Sequence, residues 1–104
     1  MDTRFSLGYY WRMADAIARL LDPYRTVELV GRIGTTRQTV ASWKYGAGVP
    51  APGWHDPIAR ALAALRGSDD PAGVADAKAE VEAAYREDLA ARSAFRRLQA
   101  QATP

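Results

Sequence analysis

Arg37, Gln38 and Ser42 are the side chains in this sequence best equipped to recognise another molecule, offering a donor fork, an amide that donates and accepts, and a hydroxyl. Arg can bond both major-groove acceptors of guanine, Gln can do the same for adenine, and Ser can meet base edges or phosphate. All three fall within TVELVGRIGTTRQTVASWKYG, from Thr26 to Gly46. Catalytic chemistry has far less to work with. There is no cysteine and a single histidine, His55, so neither a thiolate nor a spaced nucleophile and base pair arises. Glu80, Glu82, Glu87 and Asp88 read as acids spread around a solvated helix without histidine partners, so no metal and no cofactor is expected. GTTRQT follows a helix rather than a strand, unlike a phosphate-binding loop. The chain reads as a binding protein and not an enzyme.

Two short helices must position those side chains. Leu29, Val30 and Ile33 form the inward side of the first, and Gly34 stands where the chain turns with a positive φ that only glycine adopts cheaply. Thr35 follows, and Thr36 is a good N-cap for the second helix. Val40 and Trp43, three residues apart, share the face that packs back on the first helix, while Arg37, Gln38, Ala41 and Ser42 point away. Lys44 and Tyr45, just past the helix, are placed for the phosphate backbone, together with Arg25, Arg32 and Thr36. With Thr35 and Thr39 they complete the residues expected to contact DNA. The layout is that of a helix-turn-helix reader of double-stranded DNA. An ordinary αα-hairpin also turns on glycine. What separates the two is RQT at the helix start, since a merely solvated face has no need to open with Arg and Gln.

Through Ile33, Gly34, Arg37 to Val40, Trp43 and Gly46 to Pro50, the chain resembles the lambda-repressor-like, or Cro-like, helix-turn-helix regulators. The run SWKYGAGVP is most similar to small phage and prophage regulators whose recognition helix ends in Trp, a basic residue and a Gly-rich loop to Pro. The resemblance spans roughly residues 26 to 65. It implies an operator or promoter target and a transcriptional role. Two residues depart from the pattern: Val30 stands where the family usually has Ala at the helix crossing, and Thr35 stands where an apolar residue is usual. The larger Val30 implies a slightly altered angle for the recognition helix.

Before the motif, Leu7, Tyr10, Ala14, Ile17 and Leu21 recur at spacings of three and four, with Trp11 and Leu20 beside them, which predicts a helix over 6–21. Ser6 is its candidate N-cap, and Asp22 with Pro23 ends it. Tyr9, Tyr10 and Trp11 have the chemistry of a base-stacking cluster, but their place on or beside the stripe assigns them to the core. After the motif, Gly46 to Trp54 is rich in Gly and Pro and should be irregular. Asp56 as N-cap with Pro57 in the first turn forms a helix start, Ile58, Ala61, Leu62 and Leu65 an apolar face, and Gly67 a stop. His55, beside that helix start, reads as structural.

The expected architecture is all-α: a compact four-helix domain over 1–67, then a C-terminal extension over 68–104 that forms one long helix from Ala72 to about Gln101. The larger apolar residues of this helix, Val74, Val81, Tyr85, Leu89, Phe95 and Leu98, make a narrow seam interrupted by Arg92. Thirty helical residues span about 45 Å, further than so small a domain is wide. That length favours a homodimer or a protein partner gripped through residues 72–101, and Arg96 and Arg97 suit the helix dipole. The alternative to a DNA-reading regulator is an adaptor whose long helix docks on RNA polymerase or another regulator, with DNA binding auxiliary.

The formal charge of +2 is unevenly divided: residues 1–66 hold nine basic and five acidic side chains, and residues 67–104 hold five and seven. The positive part coincides with the proposed DNA reader. No apolar run is long enough to cross a bilayer, and MDTRFSLGYYWRMAD lacks the apolar core of a secretion signal, so a cytoplasmic location is expected.

Overall fold

The computed structural model describes residues 15–102, and all of its regular elements are helical. In chain order they are α1 (Ala16–Leu21), α2 (Thr26–Ile33), α3 (Arg37–Lys44), a 3₁₀ turn (Pro52–Trp54), α4 (His55–Leu65) and α5 (Pro71–Ala102). The all-α expectation holds, including the long final helix. Of the helix expected over 6–21, only the end lies within the described residues, and it stops at Leu21 before Asp22 and Pro23. Ser6, Leu7, Tyr9, Tyr10, Trp11 and Ala14 lie outside them.

Each helix contributes one apolar stripe to a single core. Ile17 and Leu21 come from α1, Leu29 and Ile33 from α2, Val40 and Trp43 from α3, and Ile58 and Leu62 from α4. At about 1.5–3 kcal/mol for each large aliphatic side chain taken out of water, this burial is what holds such short helices in place, because helices of eight residues are marginal alone. Ala77, Val81 and Ala84 of α5 belong to the same core, with Val74 and Tyr85 packed against it. The long helix is therefore part of the domain's own packing well beyond residue 67.

Two expectations about the second half need correction. Asp56 is not the N-cap of α4: the helix begins at His55, directly after the 3₁₀ turn, and Asp56 instead pairs with Lys78 of α5 at 2.9 Å. The pairing holds the Asp56 carboxyl below its ordinary value through the Lys78 hydrogen bond and charge, and raises that of Lys78 for the same reasons. The seam of α5 is also regular where large residues alone made it look broken. Val74, Ala77, Val81, Ala84, Asp88, Ala91, Phe95 and Leu98 recur at alternating spacings of three and four, and all are buried or half-buried. Leu89, counted in the expected seam, lies off it and is 43% exposed.

The turn into α5 is built from local signals. Gly67 takes φ 75°, its N–H donates to Ala64 O at 3.1 Å, and the Ser68 N–H donates to Ala63 O at 2.8 Å, the paired bonds of a Schellman stop. Asp70 then caps α5 by accepting from the Gly73 N–H at 2.8 Å, with Pro71 in the first helical position. Gly73 is required here by space. A Cβ at this position would lie 1.8 Å from the Ser68 carbonyl oxygen. Gly73→Ala should therefore destabilise the fold by about 1–3 kcal/mol, although alanine is the better helix former by about 1 kcal/mol. Urea denaturation checks the sign, and a stabilised variant would contradict this packing.

Candidate nucleic-acid interface

Gly34 joins α2 to α3 in the left-handed region, at φ 81° and ψ 40°, and its N–H donates to Val30 O at 3.0 Å. Thr36, at φ −89° and ψ 156°, caps α3 by accepting from the Thr39 N–H at 3.1 Å. Val40 and Trp43 are buried and fasten α3 along one side, Thr39, Ala41, Ser42 and Lys44 are half-buried, and within the helix Arg37 and Gln38 in the first turn are exposed. Trp43 meets Trp54 edge to face, with ring centroids 5.7 Å apart. This contact places the 3₁₀ turn over the inner side of α3. Half-buried Val30 packs against the same core.

The outward side of α3 holds part of the expected set. Arg37 and Gln38 are exposed in its first turn, and Tyr45, just past its end, is 82% exposed. Arg37, Ala41 and Tyr45 follow one another at intervals of four, so Tyr45 prolongs the same stripe. Arg25, at the N-cap position of α2, is exposed as well. The stripe has donors at one end, an aromatic hydroxyl at the other, and the half-buried methyl of Ala41 between.

Other members of the set are placed differently. Thr36 and Thr39 are within hydrogen-bond distance of each other, their hydroxyl oxygens 2.9 Å apart, in addition to forming the cap. Thr35 is half-buried. Ser42 is half-buried beside the returning loop: its carbonyl accepts from Ala47 and Gly48, at 2.9 and 3.2 Å, and a Cβ at Gly48 would stand 2.7 Å from its Oγ. Lys44 is occupied internally, its Nζ donating to Tyr24 O at 2.7 Å and tying α3 to the chain between α1 and α2. Lys44→Ala should accordingly lower thermal stability by about 1.5 kcal/mol, the low end for a lost hydrogen bond from a charged donor, because the half-buried ammonium stays partly hydrated. An unchanged melting temperature would show that the bond contributes nothing. Arg32 lies apart from the α3 stripe, in a shallow groove with Arg60, Asp69 and Val74 between α2, α4 and α5.

Three residues outside the motif make long-range contacts in the fold around it. His55 is buried; its Nε2 lies 3.3 Å from Pro50 O, and its ring stacks edge on to Tyr85 at 4.6 Å, fixing the loop after α3. Its structural role was legible from its place beside a helix start. Arg92 Nη2 donates to Gly46 O at 3.1 Å, so the residue that looked like an interruption of the seam joins α5 to the end of α3. Asp88 is 1% exposed and accepts from the N–H groups of Ala16 at 2.7 Å and Ile17 at 3.1 Å. It is thus not a solvated acid but the carboxylate that satisfies the start of α1. Burial raises the pKa of Asp88, against the opposing pull of its two backbone bonds. The heptad spacing of the seam, once alanines are counted, is the signal that would have found it.

The described residues contain no group of three or more metal-ligating side chains, and no helix among them is long and apolar enough to cross a membrane. No protein-family model matches the chain, and no curated protein and no solved structure matches it either.

Proposed function

We propose that this chain is a sequence-specific DNA-binding regulator of the Cro-like kind, acting in the cytoplasm, with the outward stripe of α3 entering the major groove. The observation that carries the reading is the combination of a glycine-turned helix pair with Arg37 and Gln38 exposed at the start of a helix fastened by Val40 and Trp43. Arg37 and Gln38 are the base readers. Arg25 and Tyr45 contact phosphates, and Ser42, half-buried, contributes at the margin of the groove. Lys44 adds positive charge while it braces α3. A homodimer on a palindromic operator is the natural arrangement, since two-fold protein symmetry is mirrored in half-sites.

The adaptor reading draws less support, because Ala77, Val81, Ala84 and Asp88 spend the first half of the α5 seam on the chain's own body. Titrating a mixed-sequence duplex at increasing salt tests the first requirement. The logarithm of the binding constant is expected to fall linearly with the logarithm of salt concentration, as phosphate contacts displace counterions. Absence of binding even at low salt would leave the adaptor role in its place.

A further inference from the structure

Along α5 the charge changes sign at the point where the helix reaches α3. From Ser68 to Asp88 there are seven acidic side chains against Lys78 and Arg86, whereas from Leu89 onward there are three arginines and no acid. Four of the seven acids are engaged within the chain: Glu80 pairs with Arg66 and Glu87 with Arg19, Asp88 takes the Ala16 and Ile17 N–H groups, and Asp70 takes that of Gly73. The basic part starts with Arg92, whose bond to Gly46 O anchors it beside the loop that ends α3. Arg96 lies one turn further along the Arg92 stripe, Arg97 is its neighbour, and both are exposed. A dipole role would place such residues in the final turn, where the effect is confined. The final turn of α5 carries no basic residue.

We propose that Arg96 and Arg97 form a second phosphate-binding element, which contacts the duplex backbone flanking the site that α3 reads. The inference rests on the DNA-binding reading above and extends its footprint from the helix pair to the end of α5. At 1.5 Å per residue Arg97 lies about 7.5 Å along the helix beyond Arg92. Phosphates of one strand recur about every 3.4 Å of duplex axis, so two adjacent guanidinium groups are enough for about two contacts. These contacts carry no base preference and act on affinity and register.

The test compares the full-length chain, the double variant Arg96→Gln/Arg97→Gln, and Arg86→Gln, each titrated with the same mixed-sequence duplex between about 50 and 300 mM salt. Glutamine is close to arginine in helix propensity, so circular dichroism should report unchanged helix content. The double variant is expected to flatten the salt slope by about 1.8 and to bind between about 10- and 30-fold more weakly near 0.15 M salt. Arg86→Gln, in the acidic part, should leave the slope unchanged. A double variant with the parent's slope and affinity would overturn this inference while leaving the reading of α3 intact. Equal losses from Arg86→Gln would overturn it too, by reducing the effect to net charge. Failure of the unaltered chain to bind any duplex would remove both.

Discussion

Asp88→Ala is expected to destabilise the protein by about 2–4 kcal/mol, the largest loss foreseen for a single side chain. The carboxylate is 1% exposed and takes both the Ala16 and Ile17 N–H groups. Its removal strands two donors where water cannot easily follow, and hydrogen bonds to charged groups contribute about 1.5–3 kcal/mol each before the cost of burying the charge is set against them. Asp88→Asn keeps an acceptor and should lose less. The two variants also separate in pH. Because burial raises the carboxyl's pKa above its ordinary value, the folded state holds the proton more tightly than the unfolded chain. The associated stability is present below the unfolded pKa and is lost as pH rises through the folded one. Relative to Asp88→Asn, the unaltered protein should therefore gain stability as pH is lowered from neutrality toward about 4. Urea midpoints at several pH values measure this. Equal midpoints for the unaltered protein and Asp88→Ala would mean that the α1–α5 bond is not stabilising.

The second large effect is on recognition. Arg37→Ala and Gln38→Ala should each cost about 1–3 kcal/mol on the preferred sequence, concentrated at one base pair, because a bidentate contact discriminates against the other bases. Both side chains are exposed, so folding stability should move by no more than about 0.5 kcal/mol. Arg25→Ala provides the contrast, with weaker binding to every sequence and a shallower salt dependence, since it removes charge from the backbone contact alone. If Gln38→Ala and Arg25→Ala reduced affinity equally on all sequences, Gln38 would not be a base reader. Fluorescence anisotropy with single-substitution duplexes gives the comparison.

The local elements were legible in the sequence where one residue type answers one backbone demand. Gly34 and Gly67 adopt positive φ, Thr36 caps α3, and Pro23 follows the end of α1, as their chemistry requires. The start of α4 was misread because Asp56 and Pro57 look like a cap and first turn. The preceding Pro52–Trp54 turn, held by the Trp43 ring, begins the helix earlier and leaves Asp56 to Lys78. Asp88 and Arg92 were illegible for a different reason. Each satisfies a backbone group far away in sequence: the three-and-four spacing of the seam marks position 88 as inward once alanines are counted, but no local pattern names the partner of either side chain. Lys44 shows the converse error, since a cation after a recognition helix looks like a phosphate contact until the Tyr24 carbonyl is brought beside it. Arg37, Gln38 and Tyr45 kept their expected exposure because they depend only on helical periodicity, set by Val40 and Trp43 on the opposite side.

In vitro selection from a randomised duplex library at near-physiological salt, with Arg37→Ala selected in parallel, tests the central claim most directly. Enrichment of one motif by the unaltered protein, lost or changed at one position with Arg37→Ala, is the predicted result, and a palindromic motif would identify the dimer as well. Recovery of unenriched sequence by both proteins would contradict major-groove reading by α3.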